Sequence, residues 1–260
     1  MRLDGKICVV TGGAMGNGYG IVDVFLKNGA TVAILDYSDN MSECLSKLGN
    51  ANLVAYKVDI RDNLYVNKVI DSIIEKFGKI DILVNNAGVA KLSKILDTSD
   101  EVRDFHFDIN IKGTWNVTKA VLPYMIDKKY GKIINLSSVT GPLVADSGEV
   151  AYATTKAAIL GFTKSLAMEV VEDNICVNAI MPGYIQTPMV DGIASDTNSS
   201  NPNLVLESLA AGIPMKRLGT ITEIGNLALF LGSDDSSFIT GQGIVIDGGA
   251  TLPETRSVGV

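Results

Sequence analysis

Tyr152 and Lys156 stand four residues apart in YATTK, the spacing that sets two side chains on one face of a helix. An unperturbed tyrosine titrates near pH ~10 and is a poor base at neutral pH; lowering that value by about three units takes roughly 4 kcal/mol of preferential stabilisation of the phenolate. A lysine cation about 4 Å away, at an effective dielectric near 20, supplies about that much. Such a pair can pass a proton to or from a reacting oxygen.

A second chemical signal lies near the N-terminus. In KICVVTGGAMGNGYG the strand-like run at 6–11 stops at Gly12, Gly16 and Gly18, and a helical pattern follows over 19–27. Glycines let backbone approach a nucleotide diphosphate, and the N-terminus of the next helix offers N–H groups to the anion. A loop that follows the first strand and opens a helix has the context this motif requires. The next strand-like run, TVAILD, ends on Asp36, an acceptor for ribose hydroxyls. A 2′-phosphate there would meet a repulsion of roughly 1 to 4 kcal/mol for unit charges about 4 Å apart. Tyr37 rather than a basic residue follows, and Met15 is no cation, so the residues favour NAD over NADP.

Elements must hold these groups in place. Strand-like runs recur at 6–11, 31–36, 53–58, 80–84, 132–136, 175–180 and 244–246, and helical periodicity fills 63–77, 100–127, 151–171 and 222–232. Continuous Val/Ile/Leu strands alternating with helices predict an α/β fold: a Rossmann-type doubly wound parallel sheet of about seven strands with helices on both faces, in a single domain spanning 1–260. The segment 188–214, with SDTNSSNPN at its centre, is too long for a routine connection and is either a disordered insertion or, as its position suggests, a substrate lid. Residues 248–260 form a C-terminal tail.

Composition narrows the functional classes. The 260 residues are 47% apolar and 20% charged, as in an ordinary globular chain, and a formal charge of −7 without basic clusters argues against a nucleic-acid partner. No run approaches the roughly 18 apolar residues of a membrane span, and MRLDGK is too polar for a signal peptide, so a cytoplasmic location is expected. Cys8, Cys44 and Cys176 are widely spaced and read as buried thiols, and the single histidine, His106, reads as a helix-packing residue. Neither a metal site nor a serine–histidine relay is expected.

The ordered set TGGAMGNG (11–18), Asp59, NNAG (85–88), Asn110 in DINIKG, INLSS ending at Ser138, YATTK and PGYIQTP (182–188) resembles the short-chain dehydrogenase/reductase family over essentially the whole chain. DFHFDINIKGTWNVTKAVLP and IDGGATLPETRSVGV carry a closer likeness to one group within it. The resemblance implies that Tyr152 is the general acid/base, that Ser138 orients and polarises the substrate oxygen, that Lys156 also holds the nicotinamide ribose, and that Asn110 anchors a proton-relay water. It implies that Gly12, Met15, Gly16, Asn17, Gly18, Asp36 and Tyr37 contact the cofactor, with Asp59 and Ile60 flanking the adenine. Asn86, Ala87 and Gly88 would line the adenosine ribose; Pro182, Gly183, Ile185 and Thr187 would meet the nicotinamide end; and Met189 would join Ser138 and Tyr152 at the substrate. It further implies a homotetramer built on the helices containing Asn110 and Tyr152, with the tail packing across subunits.

Two departures stand out. Asn17 occupies a position usually held by isoleucine in the family, as either a new hydrogen bond or a weakening of cofactor binding. Asp146 and Glu149 lie near the expected substrate mouth and disfavour a strongly anionic substrate. Met189, Ile193, Leu204, Leu206, Leu209 and Ile213 predict an apolar pocket wall, suited to a hydrophobic ketone, a steroid-like alcohol or an aromatic aldehyde. The reading that follows is an NAD-dependent oxidoreductase acting on a small-molecule carbonyl or alcohol. A sugar-nucleotide epimerase would need a longer substrate domain, and a turnover-silent dinucleotide sensor would be expected to have lost part of the Asn–Ser–Tyr–Lys set.

Overall fold

The computed structural model describes residues 1–253. Seven parallel strands form one sheet in the order β3-β2-β1-β4-β5-β6-β7, with β1 Ile7–Thr11, β2 Thr31–Asp36, β3 Leu53–Lys57, β4 Ile82–Asn85, β5 Gly131–Leu136, β6 Ile175–Pro182 and β7 Gly243–Ile246. The strands match the seven apolar runs to within two residues at each end. Strand order reverses between β1 and β4, and that crevice at the carboxyl ends of the strands is where such sheets place a ligand.

Alternation along the strands divides the core. Cys8 and Val10 of β1 join one apolar layer, and Val9 faces the other. The first layer is closed by α1 (Gly16–Lys27) and α9 (Ile221–Gly232), the second by α3 (Asn63–Phe77), α5 (Thr114–Lys128) and α6 (Val150–Val170). α1 and α9 touch backbone to backbone: a Cβ on Gly20 would lie 2.3 Å from the Ile221 carbonyl oxygen, and one on Gly225 2.6 Å from that of Gly20.

The catalytic-helix candidate α6 is docked by polar bonds as well as by its apolar stripe. Asn85 donates to Asn135 and to Thr118, each at 2.9 Å, and Asn135 donates to Thr163 of α6 at 2.9 Å. The Ser137 hydroxyl donates to the Lys156 carbonyl at 2.8 Å. Hydrogen bonds have narrow geometry, so this network fixes the rotation of α6 more tightly than apolar contact alone would.

One stretch differs from expectation. The long helix expected over 100–127 is α4 (Asp100–His106), a π-helical turn Phe107–Gly113 and α5. The segment 188–214 is ordered as α7 (Pro188–Thr197) and α8 (Pro202–Gly212), each opened by a proline in its first turn, where the missing N–H costs nothing. A short helix outside the expected elements, α2 (Met41–Leu48), ends at Gly49 in the left-handed region and buries only Cys44. The tail from residue 254 onward, and with it the expected packing across subunits, lies outside the described residues.

Candidate active site

The glycine loop is built around Thr11 and Asn86. The Thr11 hydroxyl accepts from the backbone N–H groups of Asn86 and Ala87, both at 3.0 Å, and the Asn86 amide donates to the Thr11 carbonyl at 3.0 Å and to that of Gly12 at 2.8 Å. Gly12 and Gly16 have φ of 63° and 55°, the left-handed region where other side chains are strained. A Cβ on Gly12 would lie 2.9 Å from Ala87 Cα, and one on Gly18 only 2.0 Å from the Gly12 carbonyl oxygen. The loop therefore presents bare backbone. Met15 precedes α1 with no side chain capping the helix, which leaves the first-turn N–H groups to an outside acceptor.

Asp36 is held ready at the end of β2. Its two carboxylate oxygens accept from the N–H groups of Ala14 at 2.9 Å and Ser38 at 2.8 Å, and each keeps lone-pair capacity for another donor. Asp59 is gripped by the Arg61 guanidinium, with Nη2 2.6 Å from Oδ2; that pairing draws the Asp59 carboxyl below the usual range. Arg61, a cation in the same cavity as Asp36 and Tyr37, escaped the sequence reading because its function depends on which carboxylate it meets.

The reacting end combines β5 and α6. Ser138, nearly buried, accepts from the Thr140 N–H at 3.1 Å and hydrogen-bonds the Tyr152 phenol. Lys156 Nζ lies 5.5 Å from the Tyr152 ring centre and donates to the Leu136 carbonyl at 2.8 Å. Burial pushes the Tyr152 phenol up to about 12, opposed by the Ser138 bond and assisted by Glu149, and burial draws Lys156 down to about 8. The expected depression of Tyr152 by Lys156 is thus not produced by the protein's own groups. Loss of solvation raises the phenol, and the Lys156 ammonium is bonded to the Leu136 carbonyl.

Asn110 and Gly18 work from behind the cavity rather than at its surface. The Asn110 amide accepts from the Val89 N–H at 2.8 Å, donates to the Val89 carbonyl at 3.0 Å and donates to Thr155 at 2.9 Å. Thr155 in turn donates to the Tyr152 carbonyl at 2.7 Å, so Asn110 ties the loop after β4 to the catalytic helix. It sits in the π-helical turn, a wider helical winding that occurs mostly at functional sites. His106 packs beneath, its Nε2 accepting from the Lys91 N–H at 2.9 Å.

These groups share one cavity of about 570 Å³, in the range of small-molecule sites. Gly12, Met15, Gly16, Asn17, Asp36, Tyr37, Asp59, Ile60, Asn86, Ala87 and Gly88 line it together with Ser138, Tyr152, Lys156, Pro182, Gly183, Ile185, Thr187 and Met189. Of the six residues expected in the apolar wall, Met189 and Ile193 of α7 line it; Leu204, Leu206 and Leu209 of α8 and the buried Ile213 do not. Ile213 packs under the tail instead, where a Cβ on Gly248 would be 2.9 Å from it. Thr140, Val144, Asp146 and Glu149 also line it.

A family profile described as enoyl-(acyl carrier protein) reductase matches residues 12–251. The chain belongs to the short-chain dehydrogenase/reductase family. It is 52% identical to oxidoreductase UcpA of Salmonella typhimurium (strain LT2), covering 100% of this chain and 99% of that one. It is 38% identical to 3-oxoacyl-[acyl-carrier-protein] reductase FabG of Thermotoga maritima, over 97% of this chain and 100% of that one. The solved ligand-free aldohexose dehydrogenase of Thermoplasma acidophilum superposes with a TM-score of 0.92 at 31% identity, covering 99% of this chain and 98% of that one. The family is one of oxidoreductases that bind a nicotinamide dinucleotide, and the residues present fit that group: the cradle a Cβ would fill at Gly12, the uncapped α1 and the poised Asp36. Among the described residues no group of three or more His, Cys, Asp and Glu could hold a metal, and no helix is long and apolar enough to cross a membrane.

Proposed function

We propose that the protein is an NAD-dependent oxidoreductase interconverting a secondary alcohol and a ketone, or reducing an aldehyde. The observation that carries this reading is the convergence of Ser138, Tyr152 and Lys156 with the glycine loop and Asp36 in one cavity. When bound, the nicotinamide dinucleotide supplies or receives the hydride. Tyr152 gives its phenolic proton to the substrate oxygen in reduction and takes one back in oxidation, while Ser138 holds that oxygen by hydrogen bonding. Lys156, on the Tyr152 face of α6, holds the nicotinamide ribose. Asn110 positions the loop and helix on either side and anchors a water that refills the proton.

Asp36 supports NAD over NADP, and the existing grip of Asp59 on Arg61 keeps that cation from serving a 2′-phosphate. Asp59 and Ile60 flank the adenine, Asn86 to Gly88 line its ribose, and Ile185 and Thr187 meet the nicotinamide amide. Met189, Ile193 and Val144 offer a hydrophobic body of the substrate a wall, consistent with a small ketone or a hydroxysteroid, and the 188–214 segment acts as its lid. The names of the FabG and aldohexose dehydrogenase relatives also describe carbonyl and alcohol chemistry. We further read the protein as a single cytoplasmic domain assembling into a homotetramer. Trp115, Met168 and Val171, exposed on or just after α5 and α6, support the assembly.

Absorbance at 340 nm tests the reading, using NADH or NADPH with a panel of ketones, aldehydes and steroid ketones. NADH oxidation that drops at least about a hundredfold in Tyr152→Phe, with NADH binding retained, is the expected result. Tight NADH binding with no turnover across the panel would instead favour a dinucleotide sensor.

A further inference from the structure

Glu149, Tyr152 and Lys156 fall at i, i+3 and i+7 along the start of α6, so all three occupy one stripe, and all three line the cavity. Glu149 is the residue at which α6 begins, yet its side chain caps no helix N–H. Its carboxyl hydrogen-bonds Thr140, while Oε2 is enclosed and has no partner. The charged group that acts on it, Asp146, is another acid, and burial together with that acid raises the Glu149 pKa. The described cations that line the cavity are Arg61, gripped by Asp59, and Lys156, which donates to Leu136. Neither serves Glu149.

An enclosed acceptor without a donor is uncommon in a native fold, and leaving it unmet is costly. Glu149 itself lines the cavity, so a ligand held there is within reach of its carboxyl. The last torsion of a glutamate has a broad well, so a small rotation turns Oε2 toward a ligand. A plain ketone leaves Oε2 unmet, and an anion is repelled by Asp146 and Glu149 together. Three residues of helix rise, about 5 Å, separate Glu149 from Tyr152. That separation lets Tyr152 serve the reacting oxygen while the glutamate reaches a group on the adjoining carbon.

We propose that Glu149 is a specificity-determining residue that accepts a hydrogen bond from a substrate hydroxyl on the carbon next to the reacting one, so that the enzyme selects α-hydroxy carbonyl compounds and vicinal diols over plain ketones and alcohols. This rests on the oxidoreductase reading of the same cavity. The apolar wall at Met189 and Ile193 takes the rest of the molecule, so the preferred substrate joins a hydroxylated reacting end to a hydrocarbon body.

The test compares 2-hydroxycyclohexanone with cyclohexanone in two measurements. In steady-state reduction the wild-type chain is expected to favour the hydroxyketone about tenfold to a hundredfold in kcat/KM. Glu149→Leu should erase that ratio and Glu149→Gln, which keeps the shape and an acceptor, should retain part of it; thermal unfolding of both variants reports whether they fold. An unchanged ratio in folded Glu149→Leu, or a wild-type preference for cyclohexanone, overturns the proposal. Calorimetric binding of the same two compounds to Tyr152→Phe with NADH separates the two readings. Glu149-dependent binding without wild-type turnover would sink the oxidoreductase reading and leave the subsite standing; turnover of both compounds without dependence on Glu149 would do the reverse. A chain that neither binds nor reduces either compound overturns the subsite.

Discussion

Gly18 lies against the backbone of Gly12: a Cβ on Gly18 would come within 2.0 Å of the Gly12 carbonyl oxygen and 2.5 Å of the Asn86 amide nitrogen. The contact explains why the third loop glycine has no room for a side chain even though it does not line the cavity. It closes the loop from behind.

Alanine at two neighbouring glycines should therefore fail in different ways. Gly18→Ala pushes the Gly12 peptide and is expected to weaken NADH binding at least about tenfold, read by fluorescence titration, since misplacing one charge-assisted hydrogen bond costs about 1.5 to 3 kcal/mol. Gly20→Ala forces α1 from α9, where the obstacle is the Ile221 carbonyl, and should lower global stability by about 1 to 3 kcal/mol in urea unfolding. Equal stability losses with unchanged cofactor affinity would refute the division of roles.

Cofactor choice should follow the carboxylate at the end of β2. Replacing Asp36 by Ser together with Tyr37→Arg removes the repulsion and supplies a cation, and is expected to move the NADPH-to-NADH ratio of kcat/KM by about tenfold to a thousandfold toward NADPH. Some stability will be lost with the Ala14 and Ser38 bonds. A ratio that does not move would place discrimination elsewhere, with Arg61 the next residue to change.

The half-buried Tyr152 and the buried Lys156 predict a pH signature in the cofactor-free protein. Lys156 titrates near 8 when folded against an ordinary 10.5, so between those values the unfolded chain holds a proton that the folded chain lacks, and stability from this group rises with pH. The rise amounts to about 3 kcal/mol at most. Tyr152 acts oppositely: the stability it contributes is present below its ordinary 10.0 and is lost as pH climbs through about 12. Urea unfolding of wild type and Lys156→Met at pH 7 and 9.5 should show the wild type gaining on the variant; parallel profiles would contradict the burial effect.

Trp115 packs on Phe162 with ring centres 5.5 Å apart and planes tilted by 47° while remaining 56% exposed, linking α5 and α6 on a face that offers apolar surface outward. Light scattering should give wild type a mass about four times 27.6 kDa and Trp115→Glu a smaller one. A monomeric wild type at micromolar concentration would rule out the tetramer.

Periodicity in this chain determined its layered architecture. Unbroken Val/Ile/Leu runs need cover on both faces, so runs such as TVAILD and KICVV could only be central parallel strands, and the glycines after the first could only sit where backbone must come close to something. Spacing likewise put Tyr152 and Lys156 on one face. Local rules stop where a side chain's partner is distant in sequence. Nothing local says that Asn110 clamps Val89 and Thr155. The same limit hid which lid residues reach the cavity, because α7 and α8 carry similar apolar content and only packing turns Met189 and Ile193 inward. Tertiary structure also decided the electrostatics. Spacing places a lysine beside a tyrosine, but loss of solvation at both, and for Tyr152 the Glu149 carboxyl one turn away, shifts their pKa values, since desolvation depends on everything that surrounds a group rather than on its neighbours in the chain.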